Sequence, residues 1–210
     1  MKLLVVAATE FEIAPFISQN TVADILITGV GSPACTYALT KRLQQTKYDF
    51  VVQAGIAGTF KNSFPLGHTF FIKNDVFADI GIYENERFFT LFDKNFADPN
   101  AIPYQNGRLE NSLENTFNVA TANSITVNTV TDNFSQTTVF TKKYDPDVES
   151  MEGAAFHYVC LQENVPFLQL RSVSNFVGER VKTNWKMKES IESLNTNLIK
   201  IVHQLHTSFL

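Results

Sequence analysis

Two short runs of Val, Leu and Ile, Leu3 to Ala8 and Asp24 to Thr28, are each followed at once by a helix start. A third, Asp49 to Gln53, leads into a run of small residues. The first of these shows no polar alternation, as expected of a strand buried on both faces, and the other two read as further strands. Thr9 can cap a helix beginning Glu10-Phe11-Glu12. Ser32 can cap another with Pro33 at its first position, running to about Thr46. Strand and helix signals alternate along the chain, which predicts one α/β domain over residues 1–210 with a largely parallel or mixed sheet.

Length and composition agree. The chain has 210 residues, 44% hydrophobic and 18% charged, enough to bury a sizeable core. Its formal net charge of -4 gives no basic stripe of the kind nucleic-acid binding needs. No apolar run approaches 18 residues, so neither a membrane span nor a membrane partner is expected. The apolar N-terminal run is broken by Glu10 and Glu12, which makes it a first strand rather than a signal peptide. Cys35 and Cys160 fit no metal or redox spacing and are expected to pack as small hydrophobes in a cytoplasmic protein.

Several stretches could carry chemistry. Glu10 and Glu12 fall in the first turn of a helix, where carboxylates are favoured by the dipole; one of them could instead face a pocket, and local pattern does not decide which. Gly29-Val30-Gly31 and Ala54-Gly55-Ile56-Ala57-Gly58 are small-residue loops where backbone could approach a ligand, although turn geometry explains them equally well. From Val148 to Arg180, Glu149 and Glu152 open a helix-like run. A strand from Pro166 to Val173 then carries Arg171 and delivers Asn175 near its C-terminal end, where ligand sites of α/β proteins gather. Residues 82–115 are irregular. The Thr/Asn-rich stretch to Thr138 is expected to be loop, and Lys142 to Asp147 an exposed turn. Glu189 to Thr207 has apolar residues at helical spacing and forms an amphipathic helix.

Taken together, three blocks resemble the nucleoside phosphorylase/hydrolase superfamily, in its methylthioadenosine/adenosylhomocysteine nucleosidase-like branch. They are Ala8-Thr9-Glu10-Phe11-Glu12-Ile13, the two glycine stretches, and Met151-Glu152 with Arg171-Ser172-Val173-Ser174-Asn175. Within it, Ala78 to Asn85, Thr126 to Val130, Met151 to Ala155 and Ser174 to Arg180 resemble the futalosine hydrolases. The resemblance implies a three-layer α/β/α phosphorylase/hydrolase-like fold with a central mixed sheet. It also implies a purine nucleoside substrate, no metal or cofactor, and a homo-oligomer.

The resemblance implies roles as well. Glu12 polarises the attacking water, with Glu10 as the neighbouring alternative. Glu152 accepts from ribose hydroxyls, Met151 packs on the sugar, and Arg171 holds the water and the carboxylates. Val30, Ala57, Gly58, Val127, Asn128, Thr129 and Ser174 contact substrate, with purine stacking from the Thr126 to Val130 stretch and neighbouring Phe rings. Asn175 departs from the aspartate of adenine-cleaving nucleosidases. A carboxamide cannot protonate N7, but it can donate to N7 and to a 6-oxo group, whereas an adenine amino group would be left poorly matched. A 6-oxopurine is therefore expected. The chain has only five arginines, none in the glycine stretches, which argues for water rather than phosphate as nucleophile. The rival expectations are a nucleosidase for inosine or methylthioadenosine, or a non-catalytic nucleoside-binding protein.

Overall fold

A computed structural model describes residues 1–207. In chain order its elements are β1 (Leu3–Ala7), α1 (Glu10–Ile17), β2 (Ala23–Ile27), α2 (Ser32–Gln45), β3 (Phe50–Thr59), β4 (Thr69–Asp75), β5 (Gly81–Glu84), β6 (Arg87–Thr90), β7 (Leu109–Glu110), β8 (Thr121–Thr126), α3 (Phe134–Tyr144), β9 (Val148–Ser150), α4 (Gly153–Gln162), β10 (Phe167–Phe176) and α5 (Met187–Thr207). A single 3-10 turn, Lys182–Asn184, precedes α5.

The main sheet runs β10-β4-β8-β9-β3-β1-β2, with β7 on β4. It is mixed: β1 is parallel to β2 and β3, and β3 to β10, whereas β4 is antiparallel to β10 and β9 to β3. Because β3 pairs with β10 as well as with β9, five strands close into a ring, and β1 and β2 extend the sheet outward from β3. Leu3, Val5 and Ala7 pack with α1 and α5 residues such as Ile13, Leu198 and Ile201. Leu4 and Val6 pack on the opposite face with Cys35, Leu39, Phe156 and Cys160 of α2 and α4. The apolar run of β1 thus has a helix layer on each side, the edge strand β2 is only partly buried, and the three-layer mixed-sheet architecture holds.

Both cysteines are free and buried; burial pushes the Cys35 thiol up to about 12, so it behaves as a small hydrophobe.

Three local expectations are corrected. Residues 54–59 are the second half of β3, not a loop; their smallness leaves room for side chains that cross over the strand. Val148 to Ser150 is strand β9, and the helix starts only after Glu152. The Thr-rich stretch forms α3. Asn133 caps it, its side chain accepting from the N–H groups of Ser135 and Gln136 (2.9 and 3.3 Å). Thr138 and Thr141 satisfy their hydroxyls on carbonyls one turn back, and only Phe140 and Tyr144 of the helix are buried. Weak β-branched propensity and so narrow an apolar face hide this helix from pattern reading.

Candidate active site

The C-terminal ends of β1, β3 and β10 converge with β9 on a cleft of about 360 Å³. Thr9 leaves β1 and opens α1, and Glu12 folds back on it. The Thr9 N–H and hydroxyl both donate to Glu12 Oε2 (3.1 and 2.9 Å), and the Ile56 N–H of β3 donates to Oε1 (3.0 Å). Glu12 is buried, whereas Glu10 is exposed and does not line the cleft.

Glu12 stands where α1 is not a regular helix. Ile13 has non-helical torsions and Pro15 lies inside the helix. The ladder bond from the Phe16 N–H to the Glu12 carbonyl is replaced by the side chain of Asn195 on α5. Its Nδ2 donates to the Glu12 carbonyl (2.9 Å), and its Oδ1 accepts from the Phe16 N–H (3.0 Å). One buried carboxamide thus fixes the backbone that presents Glu12.

Glu152 closes the floor. Its Oε1 accepts from the Gly31 N–H (2.9 Å), and its Oε2 lies 3.5 Å from Arg171 Nη1. Gly31 has φ +94, a region that only glycine enters without strain, so the glycine stretch is required to aim this N–H. Arg171 is fully buried and does not itself line the cleft. It donates to Gln53 Oε1 (3.1 Å) and to the Ile56 carbonyl (3.4 Å) while pairing with Glu152 from below. Gly55 makes room: a Cβ there would overlap the Arg171 guanidinium and stand 3.1 Å from Glu12 Oε1.

A bulge after Val173 turns Asn175 over β3. Its Oδ1 accepts from the Ser174 hydroxyl (2.8 Å), and one Nδ2 hydrogen goes to the Phe176 carbonyl (2.9 Å). Of the residues expected to contact substrate, Val30, Ala57, Gly58, Met151 and Ser174 line the cleft with Glu12, Glu152 and Asn175.

Val127, Asn128 and Thr129 do not line it. β8 ends at Thr126. Val127 is buried against Val76, Ile125 and Phe140, and Asn128 turns away to Asp79, its N–H donating at 2.6 Å. Val130 is the residue of that stretch at the cleft. The flat rings that line it are Phe11 and Trp185, the indole N–H of Trp185 donating to the Glu179 carbonyl (3.1 Å). Glu149 also lines it, a role sequence reading gave only to Glu152; the signal available was that strand alternation puts Glu149 on the face opposite Val148. Burial, reinforced by the charge of Asp79, pushes the Glu149 carboxyl up to about 7. Among the described residues lining the cleft, Arg180 is the one cation beside the carboxylates of Glu12, Glu149, Glu152 and Glu179. The described residues contain no group of three or more His, Cys, Asp or Glu side chains placed to hold a metal ion.

A buried carboxylate held over the end of β1, a second paired with an arginine, and a carboxamide at the end of β10 define an α/β protein with a polar-ligand cleft. Residues 8–206 match the family model of the Phosphorylase superfamily, and the chain belongs to that family. The futalosine hydrolase of Thermus thermophilus is 26% identical over 174 residues, covering 80% of this chain and 76% of that protein. The futalosine hydrolase of Streptomyces coelicolor is 28% identical over 191 residues, covering 88% and 80%. Among solved structures, the native futalosine hydrolase of Helicobacter pylori superposes with a TM-score of 0.80 at 16% identity, covering 97% of this chain and 98% of the other. A methylthioadenosine/adenosylhomocysteine nucleosidase of Colwellia psychrerythraea in complex with adenine gives 0.77 at 19% identity, covering 98% and 96%. The family resemblance read from the motifs therefore holds across nearly the whole chain.

Proposed function

We propose that this protein is an N-glycosyl hydrolase that cleaves futalosine to hypoxanthine and dehypoxanthine futalosine, a step of the alternative menaquinone route. The observation that carries the reading is the set of groups in one cleft and directly beneath it. Glu12 and the Glu152–Arg171 pair stand together with a carboxamide, not a carboxylate, at Asn175. The curated relatives named above support the choice of substrate.

Cleavage passes through an oxocarbenium-like state, with positive charge on the ribose and negative charge on the departing purine. An ionised carboxylate offers about four lone-pair sites. Glu12 has three protein donors, which orient it and leave room for one water as its remaining partner. That water attacks the anomeric carbon and passes its proton to Glu12. Glu152 accepts one hydrogen bond from Gly31 and pairs with Arg171, leaving capacity for the ribose hydroxyls. Its negative charge, held from beneath by Arg171, stabilises the sugar cation. The carboxylates of Glu12, Glu152 and Glu179 against one lining cation make the cleft unfavourable for phosphate, which favours water as the nucleophile.

At the base, the free Nδ2 hydrogen of Asn175 donates to a 6-oxo group. An adenine amino group would face that donor and leave both unpaired, at about 1–3 kcal/mol. The test is incubation of pure protein with futalosine, inosine and methylthioadenosine in phosphate-free buffer, following free base by chromatography. Hypoxanthine from futalosine is expected. Adenine from methylthioadenosine at a comparable rate would refute the role of Asn175, and turnover that requires phosphate would refute hydrolysis.

A further inference from the structure

Glu149 is the buried group in the cleft that the mechanism above leaves unused. It is 6% exposed, and its Oε2 has no hydrogen-bond partner. A buried polar atom without a partner is costly in a folded protein, so one that faces a cleft is matched to a ligand.

The strand register says what it faces. Glu149 on β9 pairs with Gly58 on β3, and Gly58 pairs with Asn175 on β10. Directly paired residues point to the same side of a sheet. Gly58 has no side chain, and the Glu149 carboxyl and the Asn175 carboxamide flank it on the same face of the sheet, both lining the cleft. A Cβ at Gly58 would stand 3.4 Å from Asn175 Nδ2 and 3.1 Å from Val177 Cγ2, which marks how closely that part of the cleft is bounded.

The donors there do not suffice for a departing 6-oxopurine. Along one edge it presents two acceptors, O6 on the six-membered ring and N7 on the imidazole ring. Asn175 has committed one N–H to the Phe176 carbonyl and has one left. That hydrogen can serve O6, and N7 then needs a second donor that can also surrender its proton, because negative charge grows on the ring.

Resting on the nucleosidase reading above, we infer that Glu149 is the general acid of this site, its carboxyl donating a proton to N7 of the purine while Asn175 holds O6. As the C1′–N9 bond breaks, its electron pair stays on the purine, the Glu149 proton binds N7, and hypoxanthine leaves neutral. The water oxygen bonds to C1′ and its proton goes to Glu12. Solvent then returns one proton from Glu12 to Glu149, which closes the cycle. The charged groups sharing the cleft are Glu12 on α1, Glu152 after β9, and Glu179 and Arg180 after β10. Asp79, after β4, adds its negative charge to burial in holding the proton on Glu149 to about pH 7.

The test is Glu149→Gln in the full chain, assayed on two substrates. With futalosine, whose base leaves poorly without a proton, kcat is expected to fall about 100-fold or more, while 4-nitrophenyl riboside, whose phenolate leaves unaided, changes by less than about threefold. The unmodified protein is expected to lose kcat on futalosine above about pH 7, and the variant to show no such limb. Equal losses on both substrates, or an unchanged futalosine kcat, would overturn the acid role. If the variant does not fold, the unmodified protein decides, since a kcat without an alkaline limb would also overturn it. Failure of the unmodified protein to release any base refutes the nucleosidase reading itself, a different result from failure of Glu149 alone.

Discussion

Asn195 lies 183 residues from Glu12 in sequence, yet it holds the turn that presents that carboxylate. Asn195→Leu keeps the branched shape and heavy-atom count of the side chain and removes the amide. The Glu12 carbonyl and the Phe16 N–H then face each other across a kinked turn with no partner, inside a protein where Asn195 itself is 2% exposed. Each orphaned group costs about 1–3 kcal/mol, so with partial relaxation the loss is about 3 kcal/mol. With a urea m-value of about 2 kcal/mol/M, the unfolding midpoint falls by about 1.5 M. The activity loss is separate. The Glu12 carboxylate is fixed by Thr9 and Ile56, so a shift of the α1 backbone pulls it against those anchors, and misplacement by about 1 Å costs on the order of 100-fold in kcat. Urea unfolding followed by far-ultraviolet circular dichroism, with futalosine hydrolysis under native conditions, checks both. A variant with unchanged midpoint and unchanged kcat would refute the bridging role of Asn195.

Gly55→Ala drives a methyl into the Arg171 guanidinium; the protein is expected to stay folded while base release falls by about 100-fold, and a fully active variant would refute the crowding argument. Asn175→Asp should raise the ratio of adenine to hypoxanthine release by about tenfold or more, measured as kcat/KM on paired nucleosides, and an unchanged ratio would mean that another group reads position 6. His157 is fully buried beside Phe167, and burial lowers its value to about 4. The unfolded chain therefore binds this proton more readily, so the contribution is whole above about pH 6.5, is lost as pH falls to about 4, and amounts to about 3 kcal/mol. The difference in unfolding free energy between pH 7 and pH 4 should shrink by that amount in His157→Gln, and an unaltered difference would refute it.

The parts of this protein that obey local rules were legible in its sequence. β1 and β2 announce themselves by short apolar runs, α2 by Pro33 at its start, and α5 by its apolar stripe, although Gly31 rather than Ser32 is the cap of α2 and the Ser32 hydroxyl donates to the Met151 carbonyl. The family motifs led to Glu12, Glu152, Arg171 and Asn175; the fold sets Glu12, Glu152 and Asn175 on one cleft and buries Arg171 behind Glu152. What stayed hidden depends on contacts across the chain. Gly55 and Gly58 look like turn residues until Arg171 and Asn175 are seen to cross over them. Glu149 looks like a helix-start carboxylate until its strand pairing sets its face. Asn195 sits in a regular amphipathic helix, and no local signal links it to the kink at Ile13. Thr126 to Val130 carries a family pattern, but β8 ends early enough that Val127 is drawn into the core.

The seam between β3 and β10 sets the order in which a working enzyme can come into being. Arg171 and Gln53, bonded across that seam, are 118 residues apart, and Asn195 is added later still. Closing so long a loop precedes any gain from the contacts it brings, which makes such pairing a late folding event. While the chain is being synthesised, Glu12 and the glycines of β3 emerge long before β9 and β10, and Glu152 emerges shortly before Arg171, its partner. The nascent chain therefore carries Glu12 apart from the rest of the cleft until β9 and β10 are made, and the site takes form only when β10 docks and α5 closes over α1.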